Sequence, residues 1–164
     1  MKKSASEHSA GFTMVELAMI LAILGIVAAV AIPSITSWRE SFALRNASQE
    51  VFATLMQAKT EAMRRNRVVN FNIDTANPAR PKIQICFRDC TAPANFKIKQ
   101  SLLTDGVRLA SGNALDCQAP LVNNSISFNA KSLPQGGLCG SIYLAIGQRQ
   151  ARVEIGRTGI ISIH

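Results

Sequence analysis

Phe12-Thr13-Met14-Val15-Glu16-Leu17 opens the stretch that decides the fold, because from Leu17 the chain continues to Ile32 without one polar side chain. That run is sixteen residues long, and counted from Phe12 the stretch is twenty-one residues interrupted only by Thr13 and Glu16. As a helix, twenty-one residues make about 31 Å, enough to span the hydrocarbon layer of a bilayer. Ahead of it, residues 1–11 form a short polar leader. Its Lys2 and Lys3 hold that end on the cytoplasmic side, so the rest of the chain is expected to be exported. A secretory signal peptide cut after Ala29-Val30-Ala31 and a plain signal anchor both fit the hydropathy. Neither accounts for Glu16. A carboxylate inside the span costs about 3 kcal/mol on insertion scales, and no Lys or Arg within the span offsets it. Its partner must come from outside the helix.

Gly11-Phe12-Thr13-Met14-Val15-Glu16-Leu17 resembles the processing site of type IV prepilins and type II secretion pseudopilins. The resemblance extends to Gly25 and Pro33, so it covers the leader, the whole span and its exit. It implies that a prepilin peptidase cuts between Gly11 and Phe12 and methylates the new N-terminus. It also implies that Glu16 of one subunit pairs with the Phe12 amine of another in the fibre, which makes the carboxylate a register device for assembly. The chain then divides into a leader (1–11), the transmembrane half of an N-terminal helix (12–33), its amphipathic half (34–67) and a β-rich head (68–164). The implied location is the inner membrane, as a single pass with the head in the periplasm, and afterwards the pilus or pseudopilus fibre.

Beyond Pro33, residues 34–67 contain no Gly or Pro. Leu44, Ala47, Val51, Leu55, Ala58 and Ala62 recur at spacings of three and four, which makes one buried helical stripe, while Arg39, Arg45, Glu50, Lys59 and Glu61 occupy the other side. Trp38 with Arg39 suits a headgroup region and equally a subunit contact. From Val68 the period shortens. Strands are expected at 68–73, 82–88, 96–103, 107–109, 125–128, 142–146, 150–155 and 160–163, separated by Pro, Gly and Asn. Ile142, Leu144 and Ile146 should share one face, as should Ala151, Val153 and Ile155. One antiparallel sheet system against a long helix is an α+β domain, and 164 residues suffice for one such core.

All four cysteines, Cys86, Cys90, Cys117 and Cys139, lie in the exported part, where an even count predicts two disulfides. Three pairings are open, and proximity in sequence favours Cys86 with Cys90 and Cys117 with Cys139. Enzymatic readings find little support. The two histidines are His8 and His164, so a His-centred triad or a multi-His metal site is close to excluded. Asp74, Asp89, Asp105 and Asp116 lack metal-loop spacing, and no cofactor is implied.

The chain carries eighteen Lys and Arg against ten Asp and Glu. Without Lys2, Lys3, Glu7 and Glu16 the balance is sixteen against eight. Arg64, Arg65 and Arg67 end the long helix, where cations complement its dipole. Arg149, Arg152 and Arg157 gather near the last two turns, with Lys97 and Lys99 a weaker pair elsewhere. The closing Gly156-Arg157-Thr158-Gly159 between two strands is similar to the final hairpin of the GspH/FimT group of minor pilins and pseudopilins. Both glycines are expected to permit positive φ, which places Arg157 at the tip.

Within that group, FimT-type pilins of some competent bacteria bind DNA through a basic C-terminal region. This sequence departs from their motif, having one arginine where they carry two. The implied function is a minor subunit of a type IV pilus or type II secretion pseudopilus, in the complex that starts assembly. Its partners are the peptidase, other minor pilins and the major pilin or pseudopilins. The alternative is a receptor for double-stranded DNA, contacting phosphates through Arg149, Arg152 and Arg157.

Overall fold

The computed structural model describes residues 12–77, 80–87, 90, 97–110, 117, 120–121 and 124–164, with the side chains of residues 30–34 excepted. Gly11 and the rest of the leader lie outside the described residues, as do Arg88 and Phe96 at two expected strand ends and the aspartates Asp89 and Asp116. One helix, α1, runs Met14–Arg65. At its start the Glu16 N–H donates to Thr13 Oγ1 at 3.2 Å, satisfying one of the orphan donors of the first turn. The helix continues through Pro33, although a proline there removes one bond of the ladder and its ring crowds the carbonyl of the preceding turn. At the other end Asn66 takes φ 49. Its N–H bonds the Met63 carbonyl, and the Arg67 N–H reaches the Ala62 carbonyl, both at 3.2 Å. This double closure ends the helix at Arg65, two residues short of the expected limit, because Asn tolerates the left-handed conformation that the closure needs.

Contacts divide the chain into a first unit that ends at Trp38 and a second from Arg39 to His164. In the first, side chains from Phe12 to Ala29 are exposed all round the helix. Among the described residues no helix is long and apolar enough to cross a membrane.

The second unit builds two antiparallel sheets where one system was expected. β1 (Val69–Asp74), β2 (Lys82–Phe87), β3 (Lys97–Leu102) and β5 (Ser125–Phe128) form the first, in the order β3-β2-β1-β5. The second contains β4 (Arg108–Leu109), β6 (Gly140–Ile146), β7 (Arg149–Ile155) and β8 (Ile161–Ile163), in the order β4-β6-β7-β8. Consecutive strands pair in β1-β2-β3 and in β6-β7-β8, while β5 crosses to pair with β1, with Phe71 opposite Ile126, and β4 pairs with β6.

Alternation on both sheets points to one core. β1 buries Val69, Phe71 and Ile73 while Asn70, Asn72 and Asp74 face the other way. β6 and β7 contribute Ile142, Leu144, Val153 and Ile155. All six residues of the predicted helical stripe join them in the same cluster. Three of the six are alanines, which lets the helix backbone lie close to the strands. Cys86 pairs with Cys90 and Cys117 with Cys139, with Cα separations of 5.4 and 4.8 Å.

Candidate functional site

Three regions were singled out by the sequence: the start of α1, the end of α1 and the closing strands. At the start, Phe12 and Glu16 are exposed, and Gly11 lies outside the described residues. Glu16 stands in the first turn of α1, where the positive end of the helix dipole favours a carboxylate. Thr13-Met14-Val15-Glu16 also has the Thr-x-x-Glu spacing of a capping box. The expectation for Glu16 missed this signal, which gives the residue a local role beside any role between subunits.

The end of α1 is partly paired within itself. Glu61 accepts from Arg64 Nη2 at 2.9 Å and from Arg65 Nε at 2.8 Å. Hydrogen bonds from Arg64 and then Arg65 hold its carboxyl below the ordinary carboxylate range. The Arg65 guanidinium also lies 4.9 Å from the centre of the Phe87 ring. Two of the three cations here therefore have structural partners.

The closing hairpin shows which glycine its turn requires. Gly159 takes φ 76 and Gly156 does not take a positive φ. The Gly159 N–H bonds the Gly156 carbonyl, and the Gly156 N–H bonds the Ile160 carbonyl, both at 2.8 Å. That is a three-residue loop ending in a left-handed bulge position, which only its last residue must be glycine to occupy. The turn is also fastened to α1, since Lys59 Nζ donates to the Gly159 carbonyl at 2.6 Å. A Cβ on Gly159 would stand 2.9 Å from the Ser132 carbonyl oxygen. Arg157 is exposed on this turn. The turn between β6 and β7 is also crowded: Gly147 has φ 56, and a Cβ there would meet the Glu40 carboxylate at 3.2 Å.

β7 sets the spacing of the three arginines. Arg149 begins the strand and Arg157 follows its end. Six steps of about 3.3 Å put the two ends of β7 roughly 20 Å apart. Arg152 lies between them, only 23% exposed, with Nη2 3.2 Å from Glu154 Oε2. Alternation with Ala151 and Val153 along the strand directs it away from the core. It stands on the face opposite Val153, but the Glu154 carboxylate and the neighbouring strands cover most of it. The arginines thus line one strand without converging on one point, and an acid shares the middle position. Lys97 lies elsewhere, beside a polar cavity of about 320 Å³ that it shares with Asn72, Asp74 and Gln84.

Near the C-terminal residue Ser162 Oγ and Glu154 Oε2 stand 3.2 and 3.8 Å from His164, both at Nε2. A relay needs the hydroxyl and the acid on different ring nitrogens, so this is not a triad. Among the described residues no group of His, Cys, Asp or Glu could hold a metal ion.

A long helix laid along two antiparallel sheets, with an exposed apolar start and a closing glycine hairpin pinned back to the helix, is the architecture of a pilin. The family model described as type II transport protein GspH matches residues 47–159, and the chain belongs to that family. Its members are structural subunits of type IV pili or type II secretion pseudopili rather than enzymes. The fold is similar to two crystal structures of the type IV minor pilin FimU from Pseudomonas aeruginosa. One, in space group P21, has a TM-score of 0.58 at 13% identity and covers 77% of this chain and 92% of that chain. The other, in space group P65, has a TM-score of 0.54 at 12% identity and covers 74% and 92%. No curated protein sequence matches the chain.

Proposed function

We propose that the chain is made as a prepilin, cut between Gly11 and Phe12, held in the inner membrane by residues 12–33, and then built into a fibre as a minor subunit of the assembly-initiating complex. Residues 34–67 and 68–164 form the part that stands in the periplasm before assembly. The observation that carries this reading is the first unit's helix. Leu17, Leu21, Leu24 and Ile26 are all more than half exposed, and apolar side chains cover every side of the helix with no stripe to direct them to one partner. Such a surface is stable only when lipid or other apolar helices surround it. Glu16 in that surface then pairs with the Phe12 amine of a neighbouring subunit.

The test uses Glu16→Gln, which keeps the hydrogen-bonding capacity of a capping box and removes the charge. Fibres sheared from cells and the membrane fraction are each quantified by immunoblot. Membrane levels should be unchanged and the fibre-associated amount should fall at least about tenfold, the equivalent of about 1.4 kcal/mol of lost pairing. An unchanged fibre fraction would remove Glu16 from the register role. Mass spectrometry of the mature chain should find a methylated Phe12 at its N-terminus. For the DNA-receptor alternative, the separation of Arg149 from Arg157 and the pairing of Arg152 with Glu154 supply no favouring observation.

A further inference from the structure

Four contacts bring separate segments to one end of the second unit. A Cβ on Gly147 would stand 3.2 Å from the Glu40 carboxylate, so the turn between β6 and β7 lies at the level where α1 enters this unit. A Cβ on Gly106 would stand 3.5 Å from Ile146 Cδ1, and Arg108 is opposite Ala145. Arg80 Nε reaches Asp105 Oδ1 at 3.1 Å. Residues 39–45 of α1, the loop before β4 and β4 itself therefore share this end. Its charges do not cancel. Arg80 takes Asp105, and Asp74 stands opposite Lys82 in register, which leaves Arg39, Arg45 and Arg108 against Glu40. All three arginines are exposed, and none of them joins an ion pair among the described residues. Phe42, 55% exposed, lies between Arg39 and Arg45 on the helix surface.

We infer that this end of the head docks on anionic phospholipid headgroups of the membrane that residues 12–33 enter. The inference rests on the anchoring reading above. The apolar run ends at Ile32, and Arg39 follows seven residues later. Whatever its conformation, that connection reaches no more than about 25 Å, so this end cannot drift far from the lipid surface. Contacts too weak to bind a free head then count, because the tether keeps the local concentration of lipid high. Guanidinium groups bond phosphate oxygens in a planar fork, and an aromatic ring between two of them suits the boundary of headgroups and acyl chains. The ring decides between lipid and other phosphates. A DNA backbone would use the arginines and give Phe42 nothing apolar to enter. The opposite end of the unit lies roughly 40 Å away along α1, and there Glu61 already holds Arg64 and Arg65.

The experiment places the full chain in phosphatidylcholine nanodiscs made with or without phosphatidylglycerol and follows amide hydrogen exchange. Phosphatidylglycerol should slow exchange in residues 104–108 and in the turn between β6 and β7 at least about threefold, and concentrated salt should reverse the slowing. Arg108→Gln should lose most of the effect, whereas Arg67→Gln, at the opposite end, should keep it. Both arginines are exposed, so both variants should retain the parent's thermal midpoint, and Arg108→Lys should recover the lipid response. Exchange indifferent to phosphatidylglycerol would overturn the inference, as would an equal response in Arg108→Gln. The same protection produced by a DNA duplex on the chain in neutral discs would overturn the assignment to lipid. Co-elution with neutral discs reads the anchoring separately. Failure to enter them would overturn the anchoring reading and this inference with it, while entry without a lipid response would overturn the inference alone.

Discussion

The two ends of α1 treat apolar residues in opposite ways. In the first unit Leu24 is 58% exposed and Ile26 is 69% exposed, while in the second Val51 and Leu55 are fully buried. The first segment has far more apolar residues and buries them less. Burial inside the chain therefore follows the pattern of apolar residues rather than their number. A stripe can be covered by one neighbouring surface, but a helix apolar on every side needs surroundings on every side. The second segment meets its surface in the head's own strands. The first is written for surroundings that come from outside the chain.

The largest effect expected from this contrast is a pair of leucine truncations. Leu55→Ala removes a fully buried side chain from the shared core and should cost about 3 kcal/mol in denaturant unfolding of the full chain in detergent. Leu24→Ala should leave that transition within about 0.5 kcal/mol, since no packing inside the chain is lost. A comparable loss from both would break the contrast.

A smaller effect tests how the second segment is fastened. Gly159→Ala combines a strained φ with a contact of 2.9 Å to the Ser132 carbonyl, and about 2 kcal/mol of destabilisation should follow. Lys59→Ala should cost about half as much by deleting one charged donor. If the two costs add in the double variant, the turn and the lysine act independently. Coupling is the expected outcome because they share a bond.

The smallest effect belongs to Glu61. Its carboxyl titrates below the usual range in the folded chain because Arg64 and Arg65 bond the charged form. A depressed folded-state pKa contributes stability above the unfolded value, and that contribution disappears as pH falls through the folded pKa. Glu61→Gln should therefore lower stability by about 0.5 kcal/mol near neutrality. The difference from the parent should close as the pH falls below the ordinary carboxylate range, and a difference that instead grew on acidification would mean that the ion pairs do not hold this helix end.

Much of the head was legible because its signals are local. The spacing of Leu44, Ala47, Val51 and Leu55 marks a buried helix face without reference to what covers it, and all of them are buried. Period-two alternation marked Ile142, Leu144, Val153 and Ile155 in the same way. Where the helix ends was less legible, because Asn66 closes it by a backbone conformation that apolar spacing does not encode. The arginines were legible as a cluster in sequence and not in space, since a strand spreads its residues along a line.

What the sequence alone determined is the division of labour along the chain: an apolar segment bearing Glu16, an amphipathic helix, and strands punctuated by glycine and proline. Each follows from side-chain chemistry acting over a few neighbouring residues. Only the tertiary structure decided that the strands form two sheets and that β5 pairs with β1. The same holds for Lys59 reaching Gly159, a hundred residues away in sequence. Those features depend on which distant segments meet, and a pairing between distant segments is set by the packing of the whole core rather than by any period within one strand.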